Sequence, residues 1–156
     1  ERACEKTLKT FMKTLNAHCK NPYKLVTFKA FDNKKKPSPI YHTNVLMAIL
    51  DKHVICCLDS IEKSSRPRIL KEMKQGGREV IDISYGEMNE MCGNMIVLKD
   101  GKNGDLCLIM SKRALTGLTP EHRSTLSGAY RIIASDIKMI EKIGGGSARC
   151  MVAELF

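Results

Sequence analysis

The apolar positions of the chain change period several times. Over residues 2–19, Cys4, Leu8, Phe11, Leu15 and Cys19 recur at helical spacing among Lys and Thr, and Asn21-Pro22 stops the pattern. Residues 25–31, Leu-Val-Thr-Phe-Lys-Ala-Phe, read as a strand, and a polar loop follows over 32–39. Residues 40–50 and 53–58 read as two strands with a tight turn near Asp51-Lys52. The pattern then restarts. Ser64-Ser65-Arg66-Pro67 opens a helix that runs to about Gln75 and ends at Gly76-Gly77. Residues 79–83 read as a strand and 84–92 as a polar loop or short helix. Residues 94–98 and 106–110 form a strand pair turned by Asp100-Gly101-Lys102-Asn103-Gly104. Thr119-Pro120-Glu121 opens another helix, to about Ala129, and the apolar stretch 130–140 holds at least one strand. A glycine loop, Gly144-Gly145-Gly146, then leads into a strand from Cys150 to Phe156.

These passages read as one unit repeated: helix, strand, polar loop, then a strand that starts at a polar residue. The units span about 1–60, 61–112 and 113–156 of a single domain. Their loop-to-strand junctions overlay as His42-Thr43-Asn44-Val45-Leu46, Cys92-Gly93-Asn94-Met95-Ile96 and Ala148-Arg149-Cys150-Met151-Val152. Asn44 and Asn94 are fifty residues apart, and Asn94 and Cys150 fifty-six. A period near fifty indicates a radial array of αββ-type units in an α/β fold. An ordinary α/β sandwich could alternate its elements in the same order. In a radial array the equivalent ends of the units meet at the axis, so His42, Asn44, Asn94 and Cys150 should converge on one cleft.

Composition narrows the class. With 156 residues and 43% hydrophobic content, the chain can bury one core. No run of eighteen apolar residues occurs, so no membrane span is expected, and the first residues carry no apolar signal-peptide core. Without an initiator Met, the chain reads as processed or as a piece of something longer. The seven cysteines include no CxxC pair. That argues against a zinc knuckle and a disulfide framework and for a reducing compartment, and no metal or cofactor is expected. The cytoplasm is the default location, or the mitochondrial matrix if a transit peptide has been removed. The net charge of +9 comes from dispersed basic residues, and the one run, Lys34-Lys35-Lys36, has no interleaved aromatics. A nucleic-acid partner is therefore disfavoured.

Two positions carry candidate chemistry. Cys150 follows a glycine loop and Arg149, and a neighbouring cation favours a thiolate, the nucleophilic form. It could equally be a small apolar residue of a buried strand. His42 is the matching acid/base, or a strand histidine satisfied by backbone. Asn44 and Asn94 either hold substrate or cap turns, and Arg149 either biases the thiol or pairs with an acidic neighbour. Cys56 and Cys57 read as core. His18, His53 and His122 read as surface or filler, and Asp82 and Glu141 as local carboxylate candidates placed at the surface.

The segments Tyr41-His42-Thr43-Asn44-Val45, Cys92-Gly93-Asn94-Met95 and Gly144-Gly145-Gly146-Ser147-Ala148-Arg149-Cys150-Met151 resemble the pentein superfamily. The match is to its amidinotransferase-like proteins, related to arginine deiminase and citrulline hydrolase. The resemblance implies part of a five-bladed α/β propeller, with about three of five units present and an N-terminal segment or second polypeptide completing the fold. It implies a hydrolase acting on a carbon–nitrogen bond of a guanidino or ureido compound. Cys150 would attack the central carbon and His42 would protonate the leaving amine, with Asn44, Asn94 and Arg149 binding substrate. The deiminases carry His-x-Asp where this chain has His42-Thr43-Asn44. An amide cannot neutralise a cation, so a neutral ureido substrate such as citrulline is favoured over arginine. A catalytically inactive structural or accessory subunit is the alternative.

Overall fold

The computed structural model describes residues 4–153. Helix α1 spans Glu5–Asn16. A single helical turn, α2 (Thr43–Leu46), precedes strands β1 (Met47–Ile49) and β2 (His53–Cys56). Helix α3 (Arg66–Met73) leads to β3 (Glu79–Asp82) and the short helix α4 (Tyr85–Asn89). Strands β4 (Ile96–Lys99) and β5 (Leu106–Ser111) are followed by helices α5 (Lys112–Gly117) and α6 (Pro120–Ala129). Strand β6 (Arg131–Ser135), helix α7 (Lys138–Gly144) and a 3-10 turn (Ala148–Met151) complete the described chain.

The strands form two three-stranded sheets of identical topology, β1-β2-β3 and β4-β5-β6. In each, a hairpin is antiparallel and a helix crosses over to a third, parallel strand. The described residues thus hold two ββαβ units about fifty residues apart, where three αββ-type units are expected from the sequence. Parallel pairing requires such a crossover, and α3 and α6 supply it. Each crossover helix opens as its sequence dictates. Pro67 lies in the first turn of α3, where its missing N–H costs nothing, and Thr119 Oγ1 caps α6 by accepting from His122 N. Both helices press apolar residues into the core, Ile69 and Met73 from α3 and Leu126 from α6. The central strand β2 is buried at every position, which suits its unbroken His-Val-Ile-Cys run.

Three expected strands differ from what forms. Residues 25–31 make only the isolated bridges Ala30↔Ile61 and Phe31↔Pro39. Their backbone is satisfied by loops instead, with Phe31 N donating to Ser60 O and Glu62 N to Lys29 O, while Val26 and Phe28 pack on the core. Residues 43–46 turn as α2 because the His42 ring accepts the N–H of Asn44, a local bond that competes with a ladder. Cys150 lies in the 3-10 turn rather than opening a strand, and residues 154–156 of that expected strand lie outside the described residues. The apolar stretch 130–140 holds one strand, β6, and its last residues begin α7, which leaves Met139, Ile140 and Ile143 exposed. No helix among the described residues is long and apolar enough to cross a membrane.

Candidate functional site

Asn94 is the residue on which the three junctions meet. It lies immediately before β4 and is 3% exposed. Its position is set by Gly93. A Cβ on Gly93 would lie 2.7 Å from Val45 O and 2.9 Å from Met47 N, so the backbone here rests directly on the α2–β1 junction. The lead-in is constrained as well, since Met91 takes a φ of +66° as the chain leaves α4.

The Asn94 amide joins elements far apart in sequence. Its Nδ2 donates to Asn44 O at 3.3 Å and to Cys150 Sγ at 3.0 Å. Its Oδ1 accepts from Arg149 N at 3.0 Å and from Cys150 N at 3.4 Å. One buried amide therefore bonds to the first junction, to the backbone of the 3-10 turn and to the sulfur itself. The 3-10 turn packs against β5, which sets it over the second sheet. Cys150 is exposed, so its thiol is reachable from solvent.

His42 attaches to this network one step away. Its Nδ1 accepts Asn44 N at 3.1 Å, which places the proton of a neutral ring on Nε2. The ring is exposed and lines a cleft of about 660 Å³ shared with Val26, Phe28, Thr43 and Glu62. Its link to Cys150 runs through Asn44 and Asn94, and no direct hydrogen bond joins the two among the described residues. The Arg149 side chain donates from Nη1 to Val152 O at 3.4 Å, and its backbone N–H enters the network through Asn94 Oδ1.

The turn is braced from α7 too. Ser147 Oγ donates to Glu141 Oε1 at 2.6 Å, and Ser147 O accepts the N–H of Cys150 at 3.0 Å. Glu141 and Ser147 are 5% and 0% exposed, so Glu141 is not the surface carboxylate its sequence context suggests. Its position on a helix between Lys138 and Lys142 reads as solvated; the return of the glycine loop onto α7 is what buries it.

The other candidates separate clearly. Cys56 and Cys57 are core residues, and burial pushes both thiols up, away from the reactive thiolate. Cys92 is likewise buried, its thiol pushed up to about 12. Asp82 is exposed at the end of β3 and accepts Leu58 N at 3.0 Å. His18 is at the surface, and His53 is buried against the Tyr130 hydroxyl at 3.1 Å. His122 Nδ1 lies 2.7 Å from Glu87 Oε1, a pairing of a half-buried ring with a buried carboxyl that sequence spacing did not reveal.

Solved structures share this fold. The N-terminal domain of ArgZ, a cysteine-to-serine mutant bound to substrate and an arginine dihydrolase from the ornithine–ammonia cycle in cyanobacteria, superposes with a TM-score of 0.64 at 12% identity over 94% of this chain and 46% of that one. The apo structure of ArgZ gives a TM-score of 0.54 at 16% identity, over 74% of this chain and 17% of that one. AgrE, solved in a ternary complex with ornithine and NAD+, gives 0.55 at 17% identity, over 74% of this chain and 16% of that one. The chain thus spans under half of the ArgZ N-terminal domain and about a sixth of either whole protein. Comparison with the curated proteins finds no match. A family model does match, over residues 1–156, and it describes eukaryotic N,N dimethylarginine dimethylhydrolase. The chain belongs to that family, within the guanidine-modifying pentein superfamily.

Proposed function

We propose that this chain carries the nucleophile half of a hydrolase that cleaves a carbon–nitrogen bond of a guanidino compound, with Cys150 as nucleophile and His42 as acid/base. The single observation behind this reading is the Asn94 amide, which donates to the Cys150 sulfur while holding the junction that bears His42. An N–H aimed at sulfur stabilises negative charge there. Family membership and the arginine dihydrolase activity of the fold neighbours agree with it.

In this reaction the Cys150 thiolate adds to the central carbon of the guanidinium, forming a C–S bond. The C–N bond to the leaving amine breaks as His42 delivers a proton to that nitrogen, leaving an S-linked thiouronium. Water then adds to the same carbon with His42 taking its proton. The C–S bond breaks, and the product is a ureido compound with the thiolate restored. Proton delivery requires His42 as the imidazolium, with both ring nitrogens protonated, so the bond from Asn44 N to Nδ1 belongs to the neutral ring and is given up when the ring is charged. For His42 to reach a carbon attached to Cys150, the substrate must bridge from the sulfur towards the cleft beside α2. Asn44 and Asn94 supply amides rather than carboxylates along that route. Glu62, on the wall of the same cleft, is a carboxylate that a cationic guanidinium can use.

Cys150→Ser tests the reading against a panel of arginine, dimethylarginine and citrulline, with released amine and ureido product followed by mass spectrometry. We expect loss of turnover by ~10³-fold or more, as for removal of a nucleophile. Turnover at the wild-type rate would refute the role of Cys150.

A second reading, an accessory subunit without activity, has its own support. The chain spans 46% of the neighbouring domain, and α7 exposes Met139, Ile140 and Ile143. The propeller would then be completed by further polypeptide against such faces. A lone, soluble, active 17.5 kDa monomer would exclude it.

A further inference from the structure

We propose that Glu141 is a positioning residue for Cys150, acting through Ser147; this rests on the reading of Cys150 as nucleophile. The thiol sits on a turn held from two sides. On one side is Asn94, whose Oδ1 accepts the N–H groups of Arg149 and Cys150. On the other is Ser147, whose carbonyl accepts the Cys150 N–H at 3.0 Å. Ser147 is fully buried, and its hydroxyl donates to Glu141 Oε1 at 2.6 Å, the length of a charge-assisted O–H···O bond.

The arrangement is costly, and its cost points to function. Glu141 Oε2 is buried with no hydrogen-bond partner. A buried carboxylate that uses one oxygen and orphans the other is not a stabilising choice for a fold. Serine and glutamate here could be replaced by apolar residues of similar size without leaving any group unpaired. What they supply instead is direction. Glu141 lies on α7, whose end is set by Gly145 at φ +70° and by Gly145 N donating to Glu141 O. Glu141 therefore holds the start of the glycine loop through its main-chain carbonyl and the far side of the loop through its carboxylate and Ser147. The loop is pinned across its base, and the turn that presents the sulfur follows directly.

A small error in the placement of a nucleophile costs far more in rate than in stability. The test compares Glu141→Ala, Ser147→Ala, their double variant and Glu141→Gln in the full-length protein. Iodoacetamide is the probe, and the Cys150 peptide is quantified by mass spectrometry with exposed Cys4 as the internal reference. We expect Cys150 alkylation and kcat to fall ~10-fold or more in either alanine variant with KM within about twofold, and the double variant to be no worse than the singles, as for residues acting as a unit. Glu141→Gln, which keeps an oxygen for the Ser147 hydroxyl, should recover most of the rate. Ser147→Ala removes one atom and keeps the measurement available if Glu141→Ala does not fold. Folded variants with Cys150 alkylation and kcat at wild-type levels would overturn the positioning role, as would additive losses in the double variant. If Cys150→Ser retains full turnover, the nucleophile reading fails instead, and the alkylation rates still report whether Glu141 places the thiol.

Discussion

Asn94→Ala removes a side chain that bonds from the second junction to the other two, and its cost can be worked from the bonds it makes. Two are short, Nδ2 to Cys150 Sγ and Oδ1 from Arg149 N, both at 3.0 Å. Two are longer, at 3.3 Å to Asn44 O and 3.4 Å from Cys150 N. A buried hydrogen bond contributes ~0.5–1.5 kcal/mol net, and a partner left unpaired costs ~1–3 kcal/mol. Asn44 and Arg149 are only half-buried, so water reaches part of what is orphaned. The truncation should therefore destabilise by about 2–4 kcal/mol, less than the simple sum of four buried bonds.

Asn94→Asp separates the structural role from the chemical one. The retained oxygen still accepts from the Arg149 and Cys150 backbone, so the turn keeps its brace. The second oxygen replaces the donor, facing both Asn44 O and the sulfur with negative charge. Like charge opposes a thiolate, so alkylation of Cys150 should fall further in Asn94→Asp than in Asn94→Ala, by ~10–100-fold relative to the native protein. Urea titration followed by circular dichroism gives the stability, and peptide-resolved iodoacetamide labelling gives the reactivity. If Asn94→Ala unfolds at the native midpoint and Cys150 reacts at the native rate in both variants, the amide is not the hub described here.

Two further outcomes follow from the neighbouring packing. Gly93→Ala places a methyl 2.7 Å from Val45 O, and because the obstruction is backbone it cannot be relieved by a rotamer change; we expect a loss of ~2 kcal/mol or more together with lower Cys150 reactivity, read by the same two assays, and unchanged stability would mean that the junctions do not touch. Burial pushes the Glu87 carboxyl up, but bonds from Ser84, His122 and Thr119 outweigh it and hold the group below the usual glutamate range. Because the folded form is the one with the depressed value, this contribution is present above the unfolded glutamate range near 4.5 and is lost as pH falls through the lower folded value. Glu87→Gln should thus cost ~2–4 kcal/mol near neutrality and much less in acid, measured as urea midpoints across pH; a cost independent of pH would refute the assignment.

What the sequence disclosed and what it concealed divide along physical lines. The fifty-residue phase between Asn44 and Asn94 was legible because both residues open the same supersecondary step, and their backbone–side-chain bond at 3.3 Å shows that the phase had spatial meaning. The hairpins and crossover helices were legible from period and capping residues. The conformation of the junctions themselves was not. His42 reads as a strand residue until its ring is seen to accept Asn44 N, a bond that no apolar period encodes. The apolar stretch 130–140 does hold a strand, β6, but no apolar period marks where it gives way to α7, on which Met139, Ile140 and Ile143 lie exposed. Buried Glu87 and half-buried His122 are partners thirty-five residues apart, and nothing in their spacing announces it.

The glycine loop shows most plainly why a motif and its cause differ. Three consecutive glycines suggest freedom of the backbone. In the folded chain only Gly145 needs it, at φ +70° where α7 ends. Gly146 answers to a different constraint, since a Cβ there would meet Cys150 Cβ at 3.1 Å and its sulfur at 3.3 Å. The loop passes close beneath the thiol, and it is held there by Ser147 and Glu141 rather than left loose. A flexible loop would let the sulfur wander between orientations. A pinned loop with no side chain beneath the thiol gives the sulfur one backbone position and leaves Cys150 exposed, which is what its proposed role as a covalent nucleophile requires.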